Sequence, residues 1–401
     1  MATLALATSA PSATAAASRP SSAVTVRLLH DIDAVADAWD ALASRVPPQS
    51  PAQSRTVIAT WVSALGIRAD DQYYVLAERN GHPVALLPLV RRRVRGVRLL
   101  SFFAGPHVGC DAPLIDPAVL AELGSVGRAA LWSAMLAPLA DADVVYLKSI
   151  PATLHDGIDL FAELGQSIAA ETLHRAEFTS FAEADRTQRN RSRRKHDRQQ
   201  GDRLDALGEV GFEVLGNGAA AQAVLDTMFA QRAARFRDMG IDNPFECPGI
   251  GLFYASLAAA GSGTELVLHV LRLDGAIVAV RYNVVVGDRM FCLISSMSAD
   301  PAIQAGSPGK QCLLRVMQSV FDAGIRVFDM GTGLTDEKRH WCNVQVPVRH
   351  HYVPLTPVGD LAAGAHFLWQ HLRRRLKANA RLVSALRGLR AQIRRAVPET
   401  P

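Results

Sequence analysis

The residues with the clearest chemical meaning are Ser307-Pro308-Gly309-Lys310-Gln311, inside the run "SMSADPAIQAGSPGKQCLLRVMQSVFDAGIRVFDMGTG" of residues 296–333. A strand with a polar end runs into this turn, a helix follows, and a second short strand ends at Asp329 and a glycine pair. Ser307 suits the N-cap, where a side-chain oxygen accepts from a first-turn amide. Pro308 then stands at the first helical position, where its missing N–H costs nothing. Gly309, Lys310 and Gln311 offer free backbone N–H groups, and Gly309 removes bulk where a ligand could approach. The helix dipole makes this end attractive to an anion. A lysine here is unfavourable alone by about 0.3–1 kcal/mol, and favourable once a phosphate lies between it and the amides. The competing reading sends Lys310 into water and leaves the turn as a good helix start.

Periodicity supplies the elements that must hold this turn. "VTVRLL" (24–29) reads as a first strand, and "DIDAVADAWDALASRV" and "TVIATWVSALG" as amphipathic helices. "YYVLAERNGHPVALLPLV" reads as two strands about Asn80-Gly81, a pair suited to the positive φ angles of a tight hairpin. "VRLLSFFAG" is a further strand, "LGSVGRAALWSAMLAPLA" a helix and "ADVVYLKSI" a strand. The second half repeats the plan. A helix over "AAAQAVLDTMFAQRAARFRDMG" precedes a hairpin about Asp274-Gly275, then come the strand "RMFCLISSMS", the helix 308–323 and the strand "IRVFDMG". In both hairpins Val-Ala follows three and four positions after the turn glycine (Val84-Ala85, Val278-Ala279). This order predicts a duplicated domain with mixed α/β sheets rather than an all-parallel sheet.

At 401 residues and 49% apolar content, the chain can bury two cores of ordinary size. No apolar run is long enough to span a bilayer. Residues 1–23 are nearly all Ala, Ser, Thr and Pro, lack the positive charge of a secretory leader, and read as a disordered tail. The five scattered cysteines suggest neither a zinc site nor a disulfide framework and fit a cytoplasmic protein. Nine basic and no acidic residues lie between Leu361 and Pro398, so at a net charge of +5 the rest of the chain carries −4. Residues 366–397 read as an amphipathic helix that could lie on an anionic membrane or dock on the body. Stacking aromatics are nearly missing from it, which disfavours nucleic acid. A second basic run, "RTQRNRSRRKHDRQQGDR" (186–203), reads as a solvated helix.

Strand, anion-binding turn, helix and strand form the central unit of the GNAT acyltransferases. Residues from about 185 to 345 resemble the GNAT-type acetyltransferase family of the cellulose-biosynthesis protein CelD, which is similar to the Fem-type aminoacyltransferases in having tandem GNAT-like domains. The matching stretches are "RNRSRRKHDRQQG", "FRDMGIDNPFECPGIGLFYASLAAAG", "LHVLRLDGAIVAVRYNVVVGDRMFCLISSMSAD", "GSPGKQCLLRVMQSVFDAGIRVFDMGTG" and "TDEKRHW". The first half, from "AWDALASRV" to "GCDAPLI", resembles that family's N-terminal region. Expected domains are 24–180 and 181–358, followed by a basic tail over 359–401.

The resemblance implies transfer of an acyl group from acyl-CoA to an amine or hydroxyl of a small-molecule or glycan-precursor acceptor, in exopolysaccharide or cell-envelope synthesis. It implies that the strands "RMFCLISSMS" and "RVFDMG" splay to admit the donor's pantetheine arm, with its diphosphate on Gly306, Ser307, Gly309, Lys310 and Gln311. The phosphate turn matches the family's pattern only in part, and Glu337-Lys338 stands where the family often has Tyr-Lys. Glu337 could act as base and Lys338 could hold an anion or the acceptor; the alternative is a solvated loop with a local ion pair. Asp329 could take a proton or cap the turn after it. Arg281 and Tyr282 are adjacent in a strand, so at least one turns from the core and could line the cleft with Arg232. A surface role is the default for Arg232 and Arg235. His340, His350 and His351 lack a second ligand cluster, so no metal is expected. A Fem-type transferase using aminoacyl-tRNA, with the basic segments as its contact, and a catalytically silent binding module are the alternatives.

Overall fold

The computed structural model describes residues 24–45, 48–153 and 157–378. The tail 1–23 and residues 379–397 of the basic helix read from sequence lie outside them. In chain order the strands are β1 (Val24–Leu29), β2 (Gln72–Arg79), β3 (His82–Val94), β4 (Val97–Ser101), β5 (Leu114–Ile115), β6 (Val144–Pro151), β7 (Gln166–Glu177), β8 (Val210–Leu215), β9 (Glu265–Leu273), β10 (Ala276–Val286), β11 (Arg289–Met297), β12 (Val327–Thr332) and β13 (Val344–Pro354). The helices are α1 (Ala36–Ala43), α2 (Arg55–Leu65), α3 (Pro117–Glu122), α4 (Gly124–Leu136), α5 (Phe181–Gln188), α6 (Arg191–Asp205), α7 (Ala219–Met239), α8 (Ile250–Ala258), α9 (Pro301–Gln304), α10 (Pro308–Asp322), α11 (Asp336–Trp341) and α12 (Pro357–Ala378).

Both hairpin turns form as their sequences demand: Asn80 and Gly81 take φ of 55° and 78°, Asp274 and Gly275 of 49° and 79°. Asparagine and aspartate tolerate the left-handed region better than other side chains, and glycine enters it freely. These turns fix the register that alternates core and opposite-face residues along β2–β3 and β9–β10.

All thirteen strands join one mixed sheet, and its order exposes a repeat. In the first half β1, β2, β3 and β4 are antiparallel neighbours and β4 pairs parallel with β6. In the second half β8, β9, β10 and β11 are antiparallel neighbours and β11 pairs parallel with β12. The closing strands are exchanged. β7 lies beside β12 of the second half, β13 lies beside β6 of the first, and the two pair with each other at the centre. The architecture is thus two tandem GNAT-like units in one mixed α/β sheet.

One face is covered by α1, α2, α7 and α8, whose Trp39, Trp61, Met228 and Tyr254 share a core spanning both halves. On the other face α4 packs Leu131, Trp132 and Met135 on the first half. α10 packs Leu313, Val316, Met317, Val320 and Phe321 on the second half. Those last five recur at helical spacing, and their burial fixes the axis of α10 and therefore where its first turn points.

The basic run 186–203 is not simply solvated. Asp197, Gln200 and Leu204 make a buried stripe on α6. Arg189 lies over Trp341, 5.4 Å from the ring centre, and pairs with Asp185 and Asp197. Spacings of three and four residues put these groups on one face, and that face docks against α10.

Candidate functional site

β11 and β12 pair only over Arg289–Phe291 and Val327–Asp329. Beyond that point β12 keeps only β7, its partner from Val327 onward, with Thr332 opposite Leu173, while Cys292–Met297 of β11 keep β10 on one side only. The strands therefore part as the sequence comparison with the family implied. An open strand edge presents unpaired amides and carbonyls, which an extended ligand can match.

A cleft of about 320 Å³ lies at the far end of that edge. It brings together Arg232, Arg281, Gly309 and Glu337 from the sequence-derived set, and adds Arg235 and Asp336. Arg281 is almost fully covered, and its Nη2 donates to Glu337 Oε2 at 2.7 Å and to the Gly309 carbonyl at 3.4 Å. Burial is the strongest single influence and pulls the guanidinium's pKa down, but Glu337, with Cys292 and Cys312 beside it, together turn the net direction up. Arg232 departs from the surface role expected of it. Its Nη1 donates to the Ser295 carbonyl at 3.2 Å, its guanidinium lies 4.5 Å from the Phe236 ring centre, and its buried Nε has no partner. The helix α7 packs against β11, so this half-buried side chain reaches the strand end on the wall of the cleft. Burial, then Arg235, lower its pKa.

The first turn of α10 differs from the sequence expectation. Ser307 precedes Pro308 but makes no side-chain cap, because its backbone is left-handed at φ 51°. Its Oγ instead accepts from Gln200 Nε2 of α6 at 2.7 Å. The amides of Gly306 and Ser307 donate to Ile303 and Gln304, and those of Lys310 and Gln311 to the Ser307 carbonyl. Gly306 faces α6, where a Cβ would meet Leu204 at 2.4 Å, and Gln311 Nε2 donates to the Asp197 carbonyl at 2.7 Å. Gly309 alone of this turn faces the cleft. Lys310 does not point freely into water: its Nζ lies 3.1 Å from Asp336, whose pKa that hydrogen bond lowers.

Lys338 lies at the other side of the gap, its backbone N–H donating to the Thr335 hydroxyl that caps α11. Its Nζ donates to the carbonyls of Gly331 at 3.2 Å and Thr332 at 2.5 Å, holding the end of β12. Burial lowers its pKa. Asp329 is buried in an ion pair with Arg175 at 2.8 Å, and Tyr282 lies in the core with its hydroxyl on the Tyr254 carbonyl. Neither lines the cleft. His340, His350 and His351 each direct Nδ1 to a protein partner: the Asp336 carbonyl, the Ser149 amide and the Leu164 carbonyl. Among the described residues no group of three potential metal ligands forms. Asp336 was missed because it sits one position from Glu337, which had already drawn attention, and Arg235, expected on the surface, instead borders the cleft.

Residues 191–339 match the family model described as an acetyltransferase (GNAT) domain. Among solved structures, FemX is similar at a TM-score of 0.56 and 11% identity, covering 84% of this chain and 99% of its own. A conserved protein of unknown function from Bacteroides thetaiotaomicron VPI-5482 aligns at 0.50 and 12%, covering 81% of this chain and 99% of its own. The C-terminal domain of a putative lysylphosphatidylglycerol synthetase from Agrobacterium fabrum aligns at 0.49 and 15%, covering 82% and 94%. No curated protein matches this sequence. The structural likenesses are likenesses of fold, and the family match confines the likeness to a GNAT acetyltransferase domain to residues 191–339.

Proposed function

We propose that the protein moves an acyl group from acyl-CoA to an amine or hydroxyl acceptor, within a pathway of exopolysaccharide or cell-envelope synthesis. The observation that supports this most is the parting of β11 and β12 beside a cationic cleft. In this reading the donor's pantetheine lies along Cys292–Met297, and its diphosphate sits by Gly309, Lys310 and the arginines 232, 235 and 281. Catalysis is then chiefly positioning of the thioester against the nucleophile. Lys338 holds the end of β12, and Glu337 keeps Arg281 aimed. The boundaries 24–180 and 181–358 belong to the same reading.

Titration of the purified protein with acetyl-CoA, followed by thermal unfolding, tests the donor. Ligand at a hundredfold excess over Kd stabilises the fold by about 2.7 kcal/mol. Lys310→Glu should abolish that gain. A second reading draws support from the likeness to FemX and from the exposed arginines of α6. It takes the acyl group from aminoacyl-tRNA. Stabilisation by aminoacyl-tRNA that falls steeply with salt, and none by acetyl-CoA, would favour it. The outer face of α12 is proposed as a peripheral contact with anionic lipid.

A further inference from the structure

A larger cavity, about 460 Å³, lies on the central strands where the two halves meet. Its chemistry-bearing lining is Lys148 and Ser149 of β6, Glu171 of β7, His350 of β13, Thr332 at the end of β12 and Arg373 of α12. Several irregularities of backbone converge here. The register of β13 shifts against β6 between Arg349 and His351, and against β7 between Pro347 and Arg349. The extra residue of each shift lies on the partner strand: Lys148 and Ser149 of β6 oppose His350 alone, and Ala170 and Glu171 of β7 oppose Val348, and such bulges re-aim side chains. Opposite His350, Ser149 is left-handed at φ 61°, a strained state for a residue with a Cβ. The Ser149 N–H donates to His350 Nδ1 at 3.0 Å, which makes Nδ1 the acceptor and leaves the imidazole proton on Nε2. Burial lowers the pKa of this ring to about 4, so it is a neutral donor at ordinary pH.

Charge within the cavity is uneven. Among the described residues neither Lys148 nor Arg373 has a carboxylate partner, and Glu171 is the only acid on the lining. Glu171 also marks where the two clefts approach. A Cβ on Gly333, just beyond β12, would lie 3.7 Å from Glu171 Oε2. Thr332 borders the cavity while its carbonyl is held by Lys338 from the gap. A donor threaded between β11 and β12 would thus bring its reactive end to the mouth of this cavity.

We propose that the cavity is the acceptor site, and that it takes a small amine carrying a phosphate, gripped by Lys148, Arg373 and the His350 Nε2–H. The transfer step rests on the acyl-CoA reading above; the phosphate site does not. In that step the amine nitrogen forms a bond to the acyl carbon and the carbon–sulfur bond breaks. The thiolate leaves as the thiol, with the proton that the nitrogen gives up, and Glu171 is placed to relay it.

Calorimetric titration of the full chain with inorganic phosphate and with O-phosphoethanolamine, using ethanolamine as the control, tests the site without any donor. Both phosphates should bind saturably and ethanolamine should not. Lys148→Glu and Arg373→Glu, both at exposed positions, should each weaken binding roughly tenfold, the scale of one lost charge-assisted contact. Absence of saturable binding by either phosphate overturns the proposal, as does binding indifferent to both Lys148→Glu and Arg373→Glu. If the phosphates bind as expected but acetyl-CoA does not, the cavity assignment stands and the donor reading falls.

Discussion

Arg281 and Glu337, 56 positions apart in sequence, meet at 2.7 Å on the wall of the cleft at the open edge of β11, the arginine side chain 6% exposed and the glutamate 25%. A buried cation is tolerable only while it is paired, and losing the partner costs more than the pair contributes. Glu337→Ala should lower stability by roughly 1–3 kcal/mol, allowing for its partial exposure. Glu337→Gln keeps an acceptor for Arg281 and should cost less. Denaturant titration of the three proteins checks the order; equal midpoints would mean that the pair is incidental.

Two glycines of one turn should fail in opposite ways. At Gly306 a Cβ would meet Leu204 Cγ at 2.4 Å and the Gln200 carbonyl at 3.2 Å, so α6 must move. Gly306→Ala should destabilise by about 1–3 kcal/mol through overpacking. At Gly309 the obstacle is the Met297 sulfur at 2.9 Å, the flexible part of a side chain that can swing aside. Gly309→Ala should fold normally and bind acetyl-CoA more weakly, since the new methyl enters the cleft. Thermal midpoints with and without ligand separate the two effects.

Acid should unfold the protein through its buried imidazoles. His269 donates Nε2–H to Ser319 Oγ and accepts from Asn283 at Nδ1, a pattern only the neutral ring satisfies. Burial sets the pKa of His269, His107 and His350 to about 4, below the value of an unfolded histidine. The unfolded chain therefore binds protons first on acidification. The contribution is whole above about pH 6.5 and is lost as pH falls toward 4, at roughly 1–3 kcal/mol for each ring. His269→Gln should shallow the decline in melting temperature over that window. An unchanged slope would place the acid sensitivity elsewhere.

α12 leaves an apolar stripe uncovered. Its inner side packs Ala363 and Phe367 on the central strands, while Leu361, Leu368, Trp369 and Leu372 are exposed. The arginines that follow match an anionic surface, and no described helix is long and apolar enough to cross a membrane. Flotation with phosphatidylglycerol vesicles should carry the protein up, and phosphatidylcholine vesicles should not. Trp369→Glu should reduce flotation several-fold, since one buried aromatic supplies much of the apolar area. Equal flotation with both lipids would count against the charge argument.

What could be read from the chain and what could not divides along a physical line. The hairpins were legible because Asn-Gly and Asp-Gly encode their own φ angles, and α10 because its apolar residues keep a helical period. The strand β13 was not, since Pro347 and Pro354 interrupt its pattern and its partners lie hundreds of residues away. Proline is tolerated there because the register shifts beside Pro347, relieving the ladder of one donor. In the site, Arg281 was legible as a charged residue in a strand, while Glu337 was legible as a charged candidate but not as part of the helix α11 that carries it. The occlusion of the turn by Gln200 and Leu204 was not, because a helix dense in arginine gives no hint that its minority face is buried. Nor could the cavity around His350 be read, since it depends on bulges in β6 and β7 opposite β13.

Because β7 and β13 trade places, neither half owns all the strands that finish it. Severed between them, each fragment would present a raw flank at the seam and seek its counterpart, so co-expressed pieces should reassemble where lone ones clump. A duplication wired in this manner binds its two copies to a common fate: one cannot be discarded, even after losing whatever chemistry it had, without unravelling its sibling.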